Sequence, residues 1–343
     1  MRRPPTPLRF RSRNRRLRKL STWQTSGDAP PAVSVVIPCY NAEQWLSQAI
    51  ESVLEQTTPP AEIIVVDDGS TDASADVARR FGSRIIYVRQ ANHGSCAARN
   101  RGLRLTSGLL IQYMDADDLL HRRRLEILIE AWRAAPDAQF AVGGYRSFKT
   151  GEVGDEEISQ GELTIREPQI VHDLLSVDYL PVTGLFRKSF LESLGPWNES
   201  LSRWVDLEFH ARIAAHSRAP FPFVDLPLYG YRQHDGPRIS SYNKAQTKLD
   251  EGLNSLEAAR LQLESAGLIA EAGERYLFPC YIQLARGYAS AGNRDKFVTL
   301  LRTASACTGR EGFKYKAAAA EAFARMFGAR MTAQLLNRFL PPP

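Results

Sequence analysis

Leu109-Leu110-Ile111-Gln112-Tyr113-Met114-Asp115-Ala116-Asp117-Asp118 is the stretch whose reading decides the fold. A short apolar run bounded by polar residues reads as a buried strand. This one ends in three acids within four positions. Carboxylates that close repel one another unless a cation sits among them. A hard divalent cation, held by oxygen ligands and bridging to phosphates, is the natural counter-ion. The strand end therefore points to a phosphorylated substrate.

Outward from it, strands and helices alternate. Val33–Ile37 is a β-branched run stopped by Pro38. Trp45, Leu46, Ala49, Ile50, Val53 and Leu54 then recur at helical spacing. Residues 62–66 form a second strand ending in Asp67-Asp68-Gly69-Ser70, and Thr71 or Asp72 can cap a helix to Phe81. Residues 84–88 form a third strand. Asn92-His93-Gly94-Ser95 turns into a helix through Leu105, and another helix runs from 122 to 134 after the acidic cluster. Such a series predicts an α/β fold with a mostly parallel sheet flanked by helices. Beyond it, 139–148 reads as a strand, 149–165 as an acidic, Gly-rich lid loop, and 167–176 and 182–187 as short elements. A helix is expected over 204–215 and a strand region over 221–231. From about 243 the texture becomes helical, with 276–291 and 296–306 as a hairpin.

Composition bounds the function. A chain of 343 residues can bury one large core, or one core plus an appendage. The four cysteines are scattered, without a CxxC pair, which argues for a reducing compartment and against a zinc site. No apolar run approaches the roughly 18–20 residues needed to span a bilayer, and no apolar signal-peptide core lies near the start. The net charge of +6 is concentrated: nine of the first 19 residues are Arg or Lys, and none is acidic. Residues 1–29 are thus expected to be a disordered basic tail. It is a solvated extension, or it contacts an anionic membrane surface at about 1 kcal/mol per basic residue. No motif that reads nucleic acid accompanies the charge. The division expected is 1–29 tail, 30–240 catalytic domain and 241–343 helical region.

In open α/β sheets, ligands bind beyond the carboxyl ends of the strands. Three strand ends here carry Pro38-Cys39-Tyr40-Asn41, Asp67-Asp68-Gly69-Ser70 and Asp115-Ala116-Asp117-Asp118. Together they suit a nucleotide: Tyr40 against the base, Asp68 on base or ribose, and Asp115 and Asp117 near a diphosphate. Taken singly, Asp-Asp-Gly-Ser is also an ordinary turn and Tyr40 an ordinary core-edge tyrosine. GxGxxG and GxxxxGK[ST] are both absent, so neither a dinucleotide fingerprint nor a P-loop is supported.

The succession of these motifs, with Asn92-His93-Gly94-Ser95-Cys96-Ala97-Ala98-Arg99-Asn100-Arg101-Gly102 between the second and third, resembles family 2 glycosyltransferases of GT-A fold over about 33–235. The resemblance implies inverting transfer from a nucleotide-diphosphate sugar, usually a UDP-sugar, with Mg²⁺ or Mn²⁺. It assigns the nucleoside to Pro38, Tyr40 and Asp68, and the donor pocket to Asn92, Gly94 and Arg99. Asp115 and Asp117 become the DxD pair, with Asp117 the direct metal ligand. Inversion also needs a base opposite the leaving group. Asp206, in Trp204-Val205-Asp206-Leu207-Glu208, matches the family position, although Val205 replaces the usual Glu. Asp206 would also complement a helix N-terminus by itself, and Glu208 is the rival carboxylate. His234, in Tyr231-Arg232-Gln233-His234, matches a histidine on a loop that closes over the diphosphate, and Arg238 could offset leaving-group charge.

Phe323, Met326, Phe327, Met331, Leu335 and Phe339, with Arg325, Arg330 and Arg338 beside them, would make a basic amphipathic helix. It either packs on the main domain or lies in a membrane interface. The expected setting is cytoplasmic, peripheral at the inner face of a membrane, with a glycan or lipid-linked acceptor and a role in polysaccharide or glycoconjugate assembly. The rival readings are a nucleotidyltransferase on a related sheet and a non-catalytic nucleotide-sugar-binding or scaffold protein.

Overall fold

The computed structural model describes residues 18–19, 31–149, 162–166, 180–217, 219–234 and 246–307, and seven positions between 318 and 328. The parallel part of the sheet is built from β2 (Val33–Cys39), β3 (Glu62–Asp67), β4 (Ile86–Arg89) and β5 (Leu110–Tyr113), in the order β5-β2-β3-β4. β2 and β3 are rich in β-branched residues, and β2, β3 and β5 are almost wholly buried, as strands covered on both faces must be, whereas the edge strand β4 is partly exposed. Ile63 and Val65 of β3 face the main core, whereas Ile64 and Val66 meet Ala98 of α3 (Ser95–Leu105) on the other side. Helix α3 lies close against β2 because Gly102 has no side chain: a Cβ there would sit 2.3 Å from Val36 Cγ1.

Register carries the strand ends to one level. Cys39 pairs with Asp67 and Val36 with Tyr113, so β2, β3 and β5 end close to one level. Helices α1 (Leu46–Leu54) and α2 (Ser74–Arg79) connect these strands. The expected cap of α2 is corrected. Ala73 is the N-cap, without a side-chain cap bond, and Asp72 instead accepts from the Ser74 and Glu43 backbone N–H groups. The third strand starts at Ile86, because Gly82–Arg84 forms a 3₁₀ turn.

The other half of the sheet is mixed. β6 (Leu119–Leu120), β7 (Phe140–Lys149), β8 (Glu162–Arg166), β9 (Gly184–Arg187) and β10 (Phe221–Gln233) complete it, with β7 parallel to β10 and the remaining pairs antiparallel. The lid loop expected over 149–165 is corrected at both ends. Lys149 closes β7, and Glu162–Ile165 lie in β8, where Leu163, Thr164 and Ile165 pair with Val224, Phe223 and Pro222, and Arg166 with Phe221. Residues 150–161 and 167–176 lie outside the described residues. Of the segment 1–29, Arg18–Lys19 (β1) is described, as two residues paired with Leu163 and Glu162.

Helix α4 (Arg124–Arg133) packs on β7 and β10, α5 (Leu180–Thr183) on β7 and β5, and α6 (Lys188–Leu194) on β9. Helix α7 (Val205–His216) packs on α8 (Gln246–Ser265), the first helix of the C-terminal region. After one turn at Ile269–Ala272 (α9) come α10 (Phe278–Ala291) and α11 (Arg294–Ala306), a hairpin closed at Gly292 with φ 84°. A single buried apolar cluster runs from β2 through α7 to α11, so the helical region shares the core of the sheet. No described helix is long and apolar enough to cross a membrane. The apolar C-terminal stripe lies outside the described residues.

Candidate active site

The residues that sequence reasoning drew from distant motifs meet at the strand ends. Pro38 and Cys39 end β2, and Tyr40 follows with its ring half exposed. The Cys39 carbonyl accepts from the Asp68 N–H at 2.8 Å. Asn41 adopts φ 50°, a left-handed conformation that asparagine tolerates, and its Oδ1 accepts from the Thr71 N–H at 2.8 Å. The first two strand ends are thereby tied into one surface.

Asp68 is buried and fully engaged. Its carboxylate accepts from Gln90 Nε2 at 2.7 Å and from the backbone N–H groups of His93 and Gly94 at 3.0 and 2.7 Å. It fixes the turn that starts α3, including Asn92 and Gly94, whose φ of 90° suits glycine. Asn92 is exposed, with its backbone against Gly69.

Arg99 comes off the buried face of α3 and donates through Nη2 to Asp115 Oδ1 at 2.8 Å. Its guanidinium lies 4.7 Å from the Trp197 ring centre. Its Nε and Nη1 are buried without a hydrogen-bond partner. Burial disfavours its charge, but Asp115 and Asp206 outweigh that and hold it protonated. Burial pushes the Asp115 carboxyl up to about 6; Arg99 pulls it back, while Asp117 and Asp206 add to the rise. Asp206 therefore shares one electrostatic cluster with Arg99 and Asp115. It sits in the first turn of α7, and its Oδ1 is buried without a partner. Glu208 is committed elsewhere: it pairs with Arg212 at 2.7 Å, and Arg212 donates to the Leu194, Gly195 and Pro196 carbonyls that end α6.

Asp117 Oδ2 lies 3.1 Å from His234 Nε2, and the imidazole stacks on Trp45 at 4.0 Å. Two ligands at right angles on a cation with bonds of about 2.1 Å stand about 3.0 Å apart. The contact is a hydrogen bond as it stands, and the same spacing is compatible with two ligands of a hard divalent ion; Asp115 lies beside it, and both carboxylates have solvent access, each 34% exposed. Among the described residues, no three His, Cys, Asp or Glu side chains form a ready-made metal cage. Asp118 does not begin a helix, as its place after the motif suggests. It is buried, accepts from Tyr229 OH at 2.7 Å and the Arg232 N–H at 2.8 Å, and holds the acidic loop against β10. Burial, then Asp117 and Asp115, raise its pKa well above the ordinary range.

Sequence reasoning missed several supports. Arg232 donates to the Asp117 carbonyl and Gln48 Oε1, each at 2.7 Å. Trp45, read as a core-facing helix residue, instead precedes α1 and backs His234. Asn100 receives Trp197 N–H and donates to Trp197 O and Glu199 Oε1 at 2.7, 2.9 and 2.8 Å. Its place in the Ala-Arg-Asn run was the available signal; Trp45 and Trp197 offered none beyond their size. Arg238 lies outside the described residues.

Residues 34–195 match the model for glycosyl transferase family 2. The putative glycosyltransferase EpsH of Bacillus subtilis is 30% identical over 245 residues, covering 68% of this chain and 70% of EpsH. Glycosyltransferase GlyA of Streptococcus pneumoniae is 39% identical over 123 residues, 35% of this chain and 18% of GlyA. Residues 1–349 of S. aureus TarS, solved in complex with UDP-GlcNAc, superpose with a TM-score of 0.64 at 14% identity, covering 91% of this chain and 93% of that one. The fold is thus a GT-A α/β fold with a helical C-terminal extension. The chain belongs to glycosyltransferase family 2.

Proposed function

We propose that the chain is an inverting, metal-dependent glycosyltransferase that moves a sugar from a nucleotide-diphosphate sugar to an acceptor hydroxyl. The observation that carries the reading is the Asp206 carboxylate. The side chain is partly exposed and accepts no hydrogen bond from a described residue, beside the Arg99–Asp115 pair, while the competing Glu208 is neutralised by Arg212. A free oxygen in that setting can accept the acceptor's proton as the new C–O bond forms and the bond to the diphosphate breaks. Among the described residues, no second free carboxylate argues for a covalent sugar–enzyme step. Tyr40 offers an open ring for the base, and Asp68 shapes the nucleoside end through the turn at Asn92 and Gly94. The Arg99 guanidinium, held protonated beside Asp115, sets a positive charge under the donor pocket. Mg²⁺ or Mn²⁺, held by Asp117 and His234 beside Asp115, would offset the charge of the departing diphosphate.

A UDP-sugar is the proposed donor, in keeping with the UDP-GlcNAc bound by the structurally similar TarS. A glycan or lipid-linked acceptor in polysaccharide or glycoconjugate assembly, at the cytoplasmic face of a membrane, suits the basic N-terminal segment. The test is a UDP-sugar panel with Mn²⁺, read by thermal shift and by slow donor hydrolysis. Metal-dependent binding of at least one donor is expected, and none would overturn the reading. Asp206→Asn should retain that binding and lower transfer by about 10²–10⁴-fold; undiminished transfer would place the base elsewhere. Flotation with liposomes, with and without residues 1–29, tests the membrane contact.

A further inference from the structure

A carboxylate that must keep an oxygen free for a proton cannot be anchored through that oxygen. Its position has to come from its backbone. The start of α7 lacks the usual means: its N-cap, Trp204, makes no side-chain cap bond and adopts φ 51°, one of two left-handed non-glycine residues described. A bulky residue in that conformation persists only where its surroundings hold it.

The surroundings come from the C-terminal helical region. Ser255, fully buried on α8, donates to the Arg203 carbonyl. Gly252, one turn earlier, faces the Trp204 indole, whose Cε3 is 3.4 Å from where a Cβ would stand. Tyr276 donates its hydroxyl to the Leu207 carbonyl at 2.6 Å and meets His210 edge to face at 5.6 Å. Residues 203, 204 and 207 thus flank Asp206, and each is gripped from beyond residue 246. The Tyr276 hydroxyl is buried close enough to feel the charge of Asp206. Among the described residues, the α/β half holds the helix further along, where Glu208 and Arg212 secure its middle to α6 and Trp197 stacks on Phe209.

We propose that Tyr276 and Ser255 are positioning residues for the base, so that the C-terminal helical region is a working part of the active site. This rests on the reading of Asp206 as base. Tyr276→Phe removes one hydroxyl and keeps the ring. The first measurement needs no substrate: amide hydrogen exchange over 204–209 should quicken about 5–10-fold in Tyr276→Phe and in Ser255→Ala, with exchange in β2 and β3 unchanged. Unchanged exchange at 204–209 in both variants would overturn the proposal.

The second is a double-mutant cycle on hydrolysis of the UDP-sugar hydrolysed fastest in the panel. Tyr276→Phe should lower kcat about 5–20-fold and leave KM for the donor within twofold. In an Asp206→Asn background it should do nothing further, because it acts through that carboxylate. Equal losses in both backgrounds, or a loss confined to KM, would mark a merely structural residue. If Asp206→Asn itself keeps full activity, the base assignment fails, and this inference with it. If Asp206→Asn is inactive and Tyr276→Phe is fully active, this inference alone fails. Should Tyr276→Phe not fold, Ser255→Ala takes its place in the cycle.

Discussion

Asn100→Ala is the sharpest test of how the site is assembled. Asn100 is buried on α3 and makes three bonds to one loop: two to the Trp197 backbone and one to Glu199. Trp197, also buried, stacks on Phe209 of α7 at 3.8 Å and lies under Arg99. Each lost bond costs about 1 kcal/mol net, and an orphaned buried N–H at Trp197 adds more, so about 3–4 kcal/mol is expected. For a chain of this size each kcal/mol lowers Tm by about 2 °C, which gives about 6–8 °C. Asn100→Asp is the control that isolates the chemistry. It keeps an acceptor for the Trp197 N–H, loses both donors and sets a carboxylate against Glu199. It should therefore melt below Asn100→Ala at neutral pH and recover toward it on acidification, as the carboxylates protonate. Differential scanning fluorimetry of the three proteins decides the matter. An Asn100→Ala protein within about 1 °C of wild type, or an Asp variant as stable as the Ala variant, would refute the reasoning.

Glu208→Gln should cost about 3–5 kcal/mol, because it strands Arg212 as a buried unpaired charge. It should nevertheless keep transfer per folded molecule far above that of Asp206→Asn, as melting and turnover measured together will show. Trp45→Ala should weaken Mn²⁺-dependent UDP binding about 3–10-fold by calorimetry, since a stacked ring contributes about 0.5–1.5 kcal/mol; Trp45→Phe should stay near wild type. At the opposite end of the sheet, burial pushes the Glu62 carboxyl up, but hydrogen bonds from Ser107, Ser34 and Gly108 outweigh it and hold the pKa below the ordinary 4.5. The stability it contributes is present above that ordinary value and is lost as pH falls through the depressed one. Glu62→Gln should therefore flatten the acid limb of Tm against pH, and an unchanged limb would deny Glu62 that role.

Much of this was legible in one dimension. The runs 33–37, 62–66 and 109–114 are short, branched and apolar, which suits only strands covered on both faces. The acids and turn residues that end them mark the carboxyl edge where an α/β sheet binds ligands. Spacing along the chain sufficed for that, because each strand end is a local event. The acidic cluster itself could not be divided by sequence. Asp115, Asp117 and Asp118 are alike as letters, and only the fold gives one to Arg99, one to His234 and the third to Tyr229 and the Arg232 backbone. Likewise Asp206 and Glu208 are both acids in one helical turn, and what separates them is Arg212, one turn further on and facing α6. The C-terminal helices carried no motif, because their contribution is a hydroxyl on a backbone carbonyl and a glycine under an indole. Sequence by itself determined the sheet, its binding edge and the acidic chemistry there. Tertiary structure alone decided which oxygen stays free, because the partners that engage the other carboxylates lie 16 to 117 residues away along the chain and only the fold brings them near.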